Sequence, residues 1–200
     1  MQTDSQNQAR LTGVILAGGR ATRMQGRDKG LIELQQRPFI QHVIERLQPQ
    51  VDEIRINANR NLDDYRRFGF PVFRDANQDF QGPLSGMLQG LRRGQTDWVV
   101  YVPCDAPQLP ADLVARFKLA LDDAHVAAVA HDGKWMQPTF CMLHRSLADR
   151  LENYIAAGGR KTSAWLRAEN AVQVDFSDQA AAFVNLNSPD DLHLYLEKRI

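Results

Sequence analysis

Continuous apolar runs alternate along the chain with segments whose apolar positions recur at helical spacing, and that alternation sets the class of fold. Leu11–Ala17 and Trp98–Val102 are nearly unbroken apolar runs, as expected of parallel strands covered on both faces. Glu53–Ala58, Phe70–Arg74, Val126–His131, Pro138–Leu143, Val172–Phe176 and Phe183–Asn185 predict further strands, with Asp132-Gly133 as a turn between two of them. Pro38–Leu47 puts Phe39, Ile40, Val43, Ile44 and Leu47 on one face of a helix. Helices are also predicted over Asn61–Arg67, over Leu84–Arg93 behind Gly82-Pro83, and from Leu109-Pro110-Ala111-Asp112 to Leu121. Two more cover Arg145–Ala156, stopped by Gly158-Gly159, and Lys161–Ala168. Ser188 and Pro189 supply the N-cap and first-turn proline of a last helix.

Strands that alternate with helices predict right-handed crossovers and a three-layer α/β/α, Rossmann-like architecture with a mainly parallel sheet. A chain of 200 residues suits one core rather than two. Residues 1–10 are polar and read as a tail; 11–200 form the domain. Lysine plus arginine and aspartate plus glutamate both total 24, a balance that argues against broad nucleic-acid or membrane-surface binding but leaves room for a local basic pocket. No apolar run is long enough to span a bilayer and no secretory leader is visible, which fits a cytoplasmic protein. Cys104 and Cys141 have no metal or redox spacing and read as small buried hydrophobes. His42, His125, His131, His144 and His193 are too dispersed for a histidine metal site.

The chemistry concentrates where the first strand ends. Leu16-Ala17-Gly18-Gly19 breaks the strand at paired glycines, and Arg20, Arg23, Arg27 and Lys29 follow within one loop. Strand, glycine turn and cations suit a polyphosphate at the carboxyl edge of a parallel sheet. The Walker pattern is excluded because Lys29 is followed by Gly30, and Gly18-Gly19 with Gly26 misses the dinucleotide frame. Asp105 closes the apolar strand Trp98–Val102 at the same edge; by position it is either a metal ligand or a turn aspartate ahead of Pro107.

Leu16-Ala17-Gly18-Gly19 with Asp28-Lys29-Gly30 resembles the signature loop of nucleotidyltransferases, most closely that of the molybdenum cofactor guanylyltransferases. Ile56-Asn57-Ala58-Asn59-Arg60, Asp75, Gly82-Pro83-Leu84-Ser85-Gly86, Pro103-Cys104-Asp105, Gln137-Pro138-Thr139 and Asn185-Leu186-Asn187-Ser188-Pro189 recur in the family's order. The likeness covers residues 11–198, with Gln25 standing where the family often has a glycine. It implies a nucleotidyltransferase fold with a nucleotide half (11–105) and an acceptor half (106–200). It also implies a Mg²⁺-assisted, in-line transfer of GMP from GTP to the terminal phosphate of molybdopterin, with release of pyrophosphate.

By the same resemblance, Asp105 is the metal ligand, Lys29 and Arg23 are catalytic cations on the triphosphate, and Leu16, Ala17, Gly18, Gly19, Asn57 and Asp75 join Lys29 and Asp105 in the nucleotide site. Gly82, Asn185 and Asn187 become pterin candidates. Arg20 and Arg27 read as solvated arginines. Guanine offers donors at N1 and N2, so oxygen acceptors such as those of Asn57 and Asp75 suit it; each could equally contact ribose or close a turn. Asn187 could equally turn the chain into the last helix, and Gly82, Pro83 and Gly86 either shape a substrate loop or start a helix. Trp135, beside Gln137-Pro138, is either a stacking surface for a pterin or a core or rim tryptophan. Related cytidylyltransferases resemble L-A-A-G at the loop, so Gly18 is the candidate for base choice, leaving room for a purine. The expected partners are GTP, molybdopterin and other proteins of cofactor biosynthesis, including molybdoenzyme chaperones, with the enzyme a monomer. Two alternatives share the motifs: a related transferase using CTP or a sugar-phosphate acceptor, and a non-catalytic GTP-binding cofactor carrier.

Overall fold

A computed structural model describes residues 10–19, 28–76 and 82–184. In chain order these form β1 (Leu11–Leu16), β2 (Glu33–Leu34), β3 (Arg37–Pro38), α1 (Phe39–Leu47), β4 (Glu53–Asn57), α2 (Leu62–Arg66), β5 (Val72–Phe73), α3 (Pro83–Arg93), β6 (Trp98–Pro103), α4 (Leu113–Ala120), β7 (Ala127–His131), β8 (Met136–His144), α5 (Ala148–Ala156), α6 (Thr162–Ala168) and β9 (Val172–Asp175). Seven strands make one sheet in the order β5-β4-β1-β6-β8-β7-β9. Every neighbouring pair is parallel except the two that involve β8, which runs against both β6 and β7. The sheet is mainly parallel, as the alternation of elements predicts.

Helices cover both faces, which is why β1 and β6 carry apolar residues at nearly every position. On one face α1 contributes Ile40, Val43, Ile44 and Leu47 and α4 contributes Leu113, Val114 and Phe117, packed on Ile15, Val100 and Val102. On the other, α3, α5 and α6 bring Met87, Leu91, Leu151, Trp165 and Leu166 against Val14, Val99, Tyr101 and Val129. Both thiols are buried and unpaired. Among the described residues no helix is long and apolar enough to cross a membrane.

Most predicted elements are present with ends moved by a residue or two. Three differ more, and one ribbon is additional. α4 begins at Leu113 rather than Leu109, because its cap comes from far away: the Val114 N–H donates to Gln50 Oε1 at 3.0 Å, and Gln50 Nε2 donates to the Pro110 carbonyl at 2.9 Å. The β2–β3 ribbon was not predicted; its turn holds Gln35 and Gln36 at φ 52° and 65°, without the Asn-Gly or Asp-Gly that usually marks such a turn. The helix expected from Arg145 starts as a 3₁₀ turn, Arg145–Leu147, before α5. Phe183 is not in a strand: it closes a 3₁₀ run, Ser177–Phe183, and packs edge-on against Phe140 and Phe176. The tail up to residue 9, Arg20, Arg23, Arg27, Asn185, Asn187 and the helix expected after Ser188 lie outside the described residues.

Candidate nucleotide site at the carboxyl edge of the sheet

From β1 the chain moves outward through β4 to β5 and then returns to the other side of β1 as β6. The strand order therefore reverses between β1 and β6, the place where open α/β sheets hold ligands beyond their carboxyl ends. Gly18-Gly19 leaves β1 there and Asp105 leaves β6. The two exits are joined by the backbone bond from Cys104 N–H to the Leu16 carbonyl, and the β1 exit is tied to the end of β4 by the bond from Ala17 N–H to the Asn57 carbonyl.

Lys29 and Asp105 meet at this point, with Nζ 3.1 Å from Oδ2 and both side chains largely shielded. Lys29 is held from behind. Asp28 accepts hydrogen bonds from the Tyr65 hydroxyl and from Asn61 Nδ2, both carried by the α2 segment. Burial pushes the Asp28 carboxyl above its ordinary range, and these two donors only partly offset it. Burial also raises the Tyr65 hydroxyl and the neighbouring Cys104 thiol, the latter aided by Asp105 and Asp28, so neither ionises near neutrality. Gly30 allows the close fit: a Cβ there would lie 2.6 Å from the Tyr65 hydroxyl and 3.3 Å from Cys104 Cβ.

A second group lies two strands away. Asn57, at the end of β4, is 2% exposed and donates from Nδ2 to Asp75 Oδ1 at 2.9 Å. Asn59 donates to Asp75 Oδ2 at 2.9 Å and to the Gly18 carbonyl at 3.1 Å, while its own Oδ1 accepts the Asp75 N–H at 3.0 Å. Because a carboxylate only accepts, the Asn57 amide is fixed with Oδ1 turned toward α3, where Gly86 leaves it space. Asn57 thus braces Asp75, whose half-buried carboxylate stays at the edge. A Cβ at Gly18 would lie 2.8 Å from Asn59 Nδ2 and 3.1 Å from Asn57 Oδ1, so any larger residue here would crowd the two asparagines. Gly86 is helical and packs on Asn57 rather than forming a loop. Gly82, at φ +71°, is the N-cap of α3 with Pro83 in its first turn.

The structure thus puts the expected residues at one sheet edge in two groups, Lys29 with Asp105 and Gly18 with the Asn57, Asn59 and Asp75 network, with Leu16 and Ala17 leading from β1 into Gly18-Gly19. Asn59, Asp28, Tyr65 and Asn61 are bonding partners that pattern reasoning gave no role, although Asn59 and Asp28 stand inside the quoted motifs. Among the described residues no three His, Cys, Asp or Glu side chains gather into a metal cage. One shielded carboxylate beside a lysine fits a hard cation that keeps water and takes its remaining ligands from phosphate, as Mg²⁺ does. Farther along the edge, Trp135 is 64% exposed, which removes its core reading. An open pocket of about 520 Å³ there is lined by His131, Gly133, Gln173, Asp175 and Ser177.

The family described as MobA-like NTP transferase domain matches residues 13–173. A molybdenum cofactor guanylyltransferase of Vibrio parahaemolyticus is 51% identical over 179 residues, spanning 90% of this chain and 91% of its own. One from Yersinia pseudotuberculosis is 47% identical over 192 residues, spanning 96% and 98%. Among solved structures, molybdopterin-guanine dinucleotide biosynthesis protein A from Archaeoglobus fulgidus has a TM-score of 0.78 at 21% identity, covering 94% of this chain and 100% of that one. A 4-diphosphocytidyl-2C-methyl-D-erythritol synthase from Anaerococcus prevotii has a TM-score of 0.71 at 14% identity, covering 94% and 96%. At such identities these two structures speak for the fold alone.

Proposed function

We propose, from the premise that the chain belongs to the MobA-like NTP transferase family and is a nucleotidyltransferase of the molybdenum cofactor guanylyltransferase group, that it transfers GMP from GTP to the terminal phosphate of molybdopterin. The observation that carries this reading is the Lys29–Asp105 pair at the β1–β6 switch point, beside the glycine turn and flanked by the Asp75 network.

In this reading a terminal phosphate oxygen of the acceptor attacks the α-phosphorus of GTP. A new phosphorus–oxygen bond forms while the bond from the α-phosphorus to the bridging oxygen breaks, and pyrophosphate leaves with that electron pair. Little covalent chemistry falls to the protein; its task is to align two anions and offset their charge. Lys29, held by the Asp28 anchor, places its ammonium against the triphosphate, and Arg23 is assigned the same duty. Asp105 would hold Mg²⁺, which supplies neutralisation of phosphate charge. The backbone at Gly18-Gly19 admits the phosphates closely. The Asp75 carboxylate, steadied by Asn57 and Asn59, accepts from the donor edge of guanine or from ribose.

The domain divides functionally, with 11–105 for the nucleotide and 106–200 for the acceptor, where Gly82 joins from α3 and Asn185 and Asn187 from the C-terminal segment. The enzyme works as a monomer in the cytoplasm, alongside other cofactor-biosynthesis proteins and molybdoenzyme chaperones. Pyrophosphate release provides the test. Release from GTP only when molybdopterin is present supports transfer. Tight GTP binding with no release in the presence of active molybdopterin would make the protein a carrier instead.

A further inference from the structure

The sheet does not close at the edge that carries the site. β6 and β8 pair from Trp98 opposite His144 to Tyr101 opposite Cys141 and then part, whereas the β1–β6 ladder continues to Leu16 opposite Pro103. The sequence explains the parting. Cys104 N–H bonds back to β1, so the alternate position, Pro103, is the one whose N–H would face β8, and proline has none. On β8 Cys141 faces β6, so by the same alternation Pro138, which also lacks a donor, falls on the β7 side. Between Val129–Cys141 and Ala130–Gln137 the β7–β8 register skips, leaving residues 138–140 of β8 unopposed. Bulges of this kind re-aim strands beside active sites. The result is a split bordered by Pro103-Cys104-Asp105 on one lip and by Gln137-Pro138-Thr139 on the other. Residues 136–139 of β8 are only half-buried, whereas 140–143 are buried.

Asp105 and Gln137 each lie four residues along the chain from the last β6–β8 pair, Tyr101 opposite Cys141, on facing strands at the same sheet edge. Its side chain is already oriented. Asp132 Oδ2 accepts from Gln137 Nε2 at 2.7 Å, while Asp132 Oδ1 accepts the N–H groups of Lys134 and Trp135 at 2.8 and 2.6 Å. A carboxylate can only accept, so the amide nitrogen of Gln137 must face Asp132. That leaves Oε1 and one N–H for a ligand. One carboxylate therefore fixes both a free donor–acceptor pair and the stem of an exposed indole.

We infer that this split is the acceptor's seat: the phosphate-bearing arm passes between β6 and β8 toward Asp105, Gln137 pairs with the adjacent N–H and C=O of the pterin's pyrimidinone ring, and Trp135 covers a ring face. Asp132 acts as a positioning residue through Gln137 and Trp135. The assignment rests on the reading of the acceptor as molybdopterin. Aromatic stacking and a matched donor–acceptor edge are what a flat, polar heterocycle requires, and none of these three residues touches the nucleotide group described above.

The test uses the full chain and its Gln137→Ala, Trp135→Ala, Trp135→Phe and Asp132→Asn variants, each checked for an unchanged melting temperature. Two quantities are read: KM for molybdopterin against KM for GTP, and affinity for 6-hydroxymethylpterin phosphate by calorimetry. The expected result is a rise of about tenfold or more in acceptor KM for Gln137→Ala and Trp135→Ala, the size of one lost stacking or hydrogen-bonding contact, with GTP KM unchanged. Trp135→Phe keeps a ring and restores most of the affinity. Asp132→Asn raises acceptor KM although its side chain does not touch the pterin. If wild type uses molybdopterin and Gln137→Ala and Trp135→Ala keep its KM, the seat is wrong and the functional reading stands. If wild type joins no nucleotide to molybdopterin, the functional reading falls and takes this assignment with it.

Discussion

Gly86→Ala puts two effects of opposite sign at one site. Alanine in a helix interior is better than glycine by about 0.5–1 kcal/mol, so on propensity alone α3 gains. The added Cβ, however, would lie 2.2 Å from Asn57 Oδ1, 2.9 Å from Asn57 Cγ and 3.0 Å from Leu16 Cδ2. Asn57 is buried and its amide is tied to Asp75 at 2.9 Å, so it cannot yield without losing that bond. Overpacking costs about 1–3 kcal/mol, and a lost hydrogen bond to a charged acceptor about 1.5–3 kcal/mol. The clash wins, and the expected net loss is about 2–3 kcal/mol, or roughly 5–10 °C in melting temperature for a domain of this size. Asp75 also loses one of its two asparagine braces, so the Kd for GTP should rise about tenfold, near 1.4 kcal/mol. Calorimetric melting and GTP titration of Gly86→Ala, Asn57→Ala and the double variant form the assay. With Asn57 shortened, the obstacle shrinks to the flexible end of Leu16, so Gly86→Ala should then cost little, giving a coupling of about 1–3 kcal/mol. Strict additivity, or wild-type GTP affinity in Gly86→Ala, would refute the reasoning.

Asp105→Ala should abolish turnover with Mg²⁺ and Lys29→Ala should raise KM for GTP, while both proteins stay folded by circular dichroism; full activity in either would remove its assigned role. Gly18→Ala should weaken GTP use more than CTP use and also lower GTP affinity through the crowded Asn57–Asn59 pair; an unchanged GTP:CTP ratio would deny it a part in base choice. Tyr65→Phe removes the buried donor to Asp28 and should cost about 1–3 kcal/mol of stability while raising KM for GTP through a displaced Lys29; denaturant titration and steady-state kinetics check both. Arg116 bonds Asp178 through two nitrogens and holds that carboxyl below its ordinary value of 3.8. Its stabilising effect is therefore complete above that value and fades as pH falls through the folded one. The melting-temperature gap between wild type and Arg116→Gln should follow this course, and a gap that widens in acid would contradict it.

The central strands were legible because two helical layers demand apolar residues at successive positions, and Leu11–Leu16 and Trp98–Pro103 show that demand directly. The position of Asp105 followed from the same runs, since a polar residue at the end of a doubly covered strand is placed by the strand itself. The anchoring of Lys29 was not legible. Tyr65 reads as one apolar position of a short helix, and only the fold brings its hydroxyl to Asp28, 37 residues away in sequence. Asn59 was hidden for a similar reason: its three bonds reach β1 and the end of β5, and no local pattern records them. The α4 start was misplaced because its capping group, Gln50, lies 64 residues upstream of the amide it caps. Local pattern reported which residues sit at the sheet edge, while the choice of which of them hold each other belonged to tertiary packing.

The most direct measurement is the product itself. Purified protein with Mg²⁺ and molybdopterin would be incubated separately with GTP, CTP, ATP and UTP, and the pterin dinucleotide and pyrophosphate quantified by mass spectrometry and a coupled assay. The account predicts a guanine dinucleotide with GTP alone and one pyrophosphate per dinucleotide formed. A cytosine dinucleotide, or no dinucleotide from any nucleotide with an acceptor proven active, would contradict it.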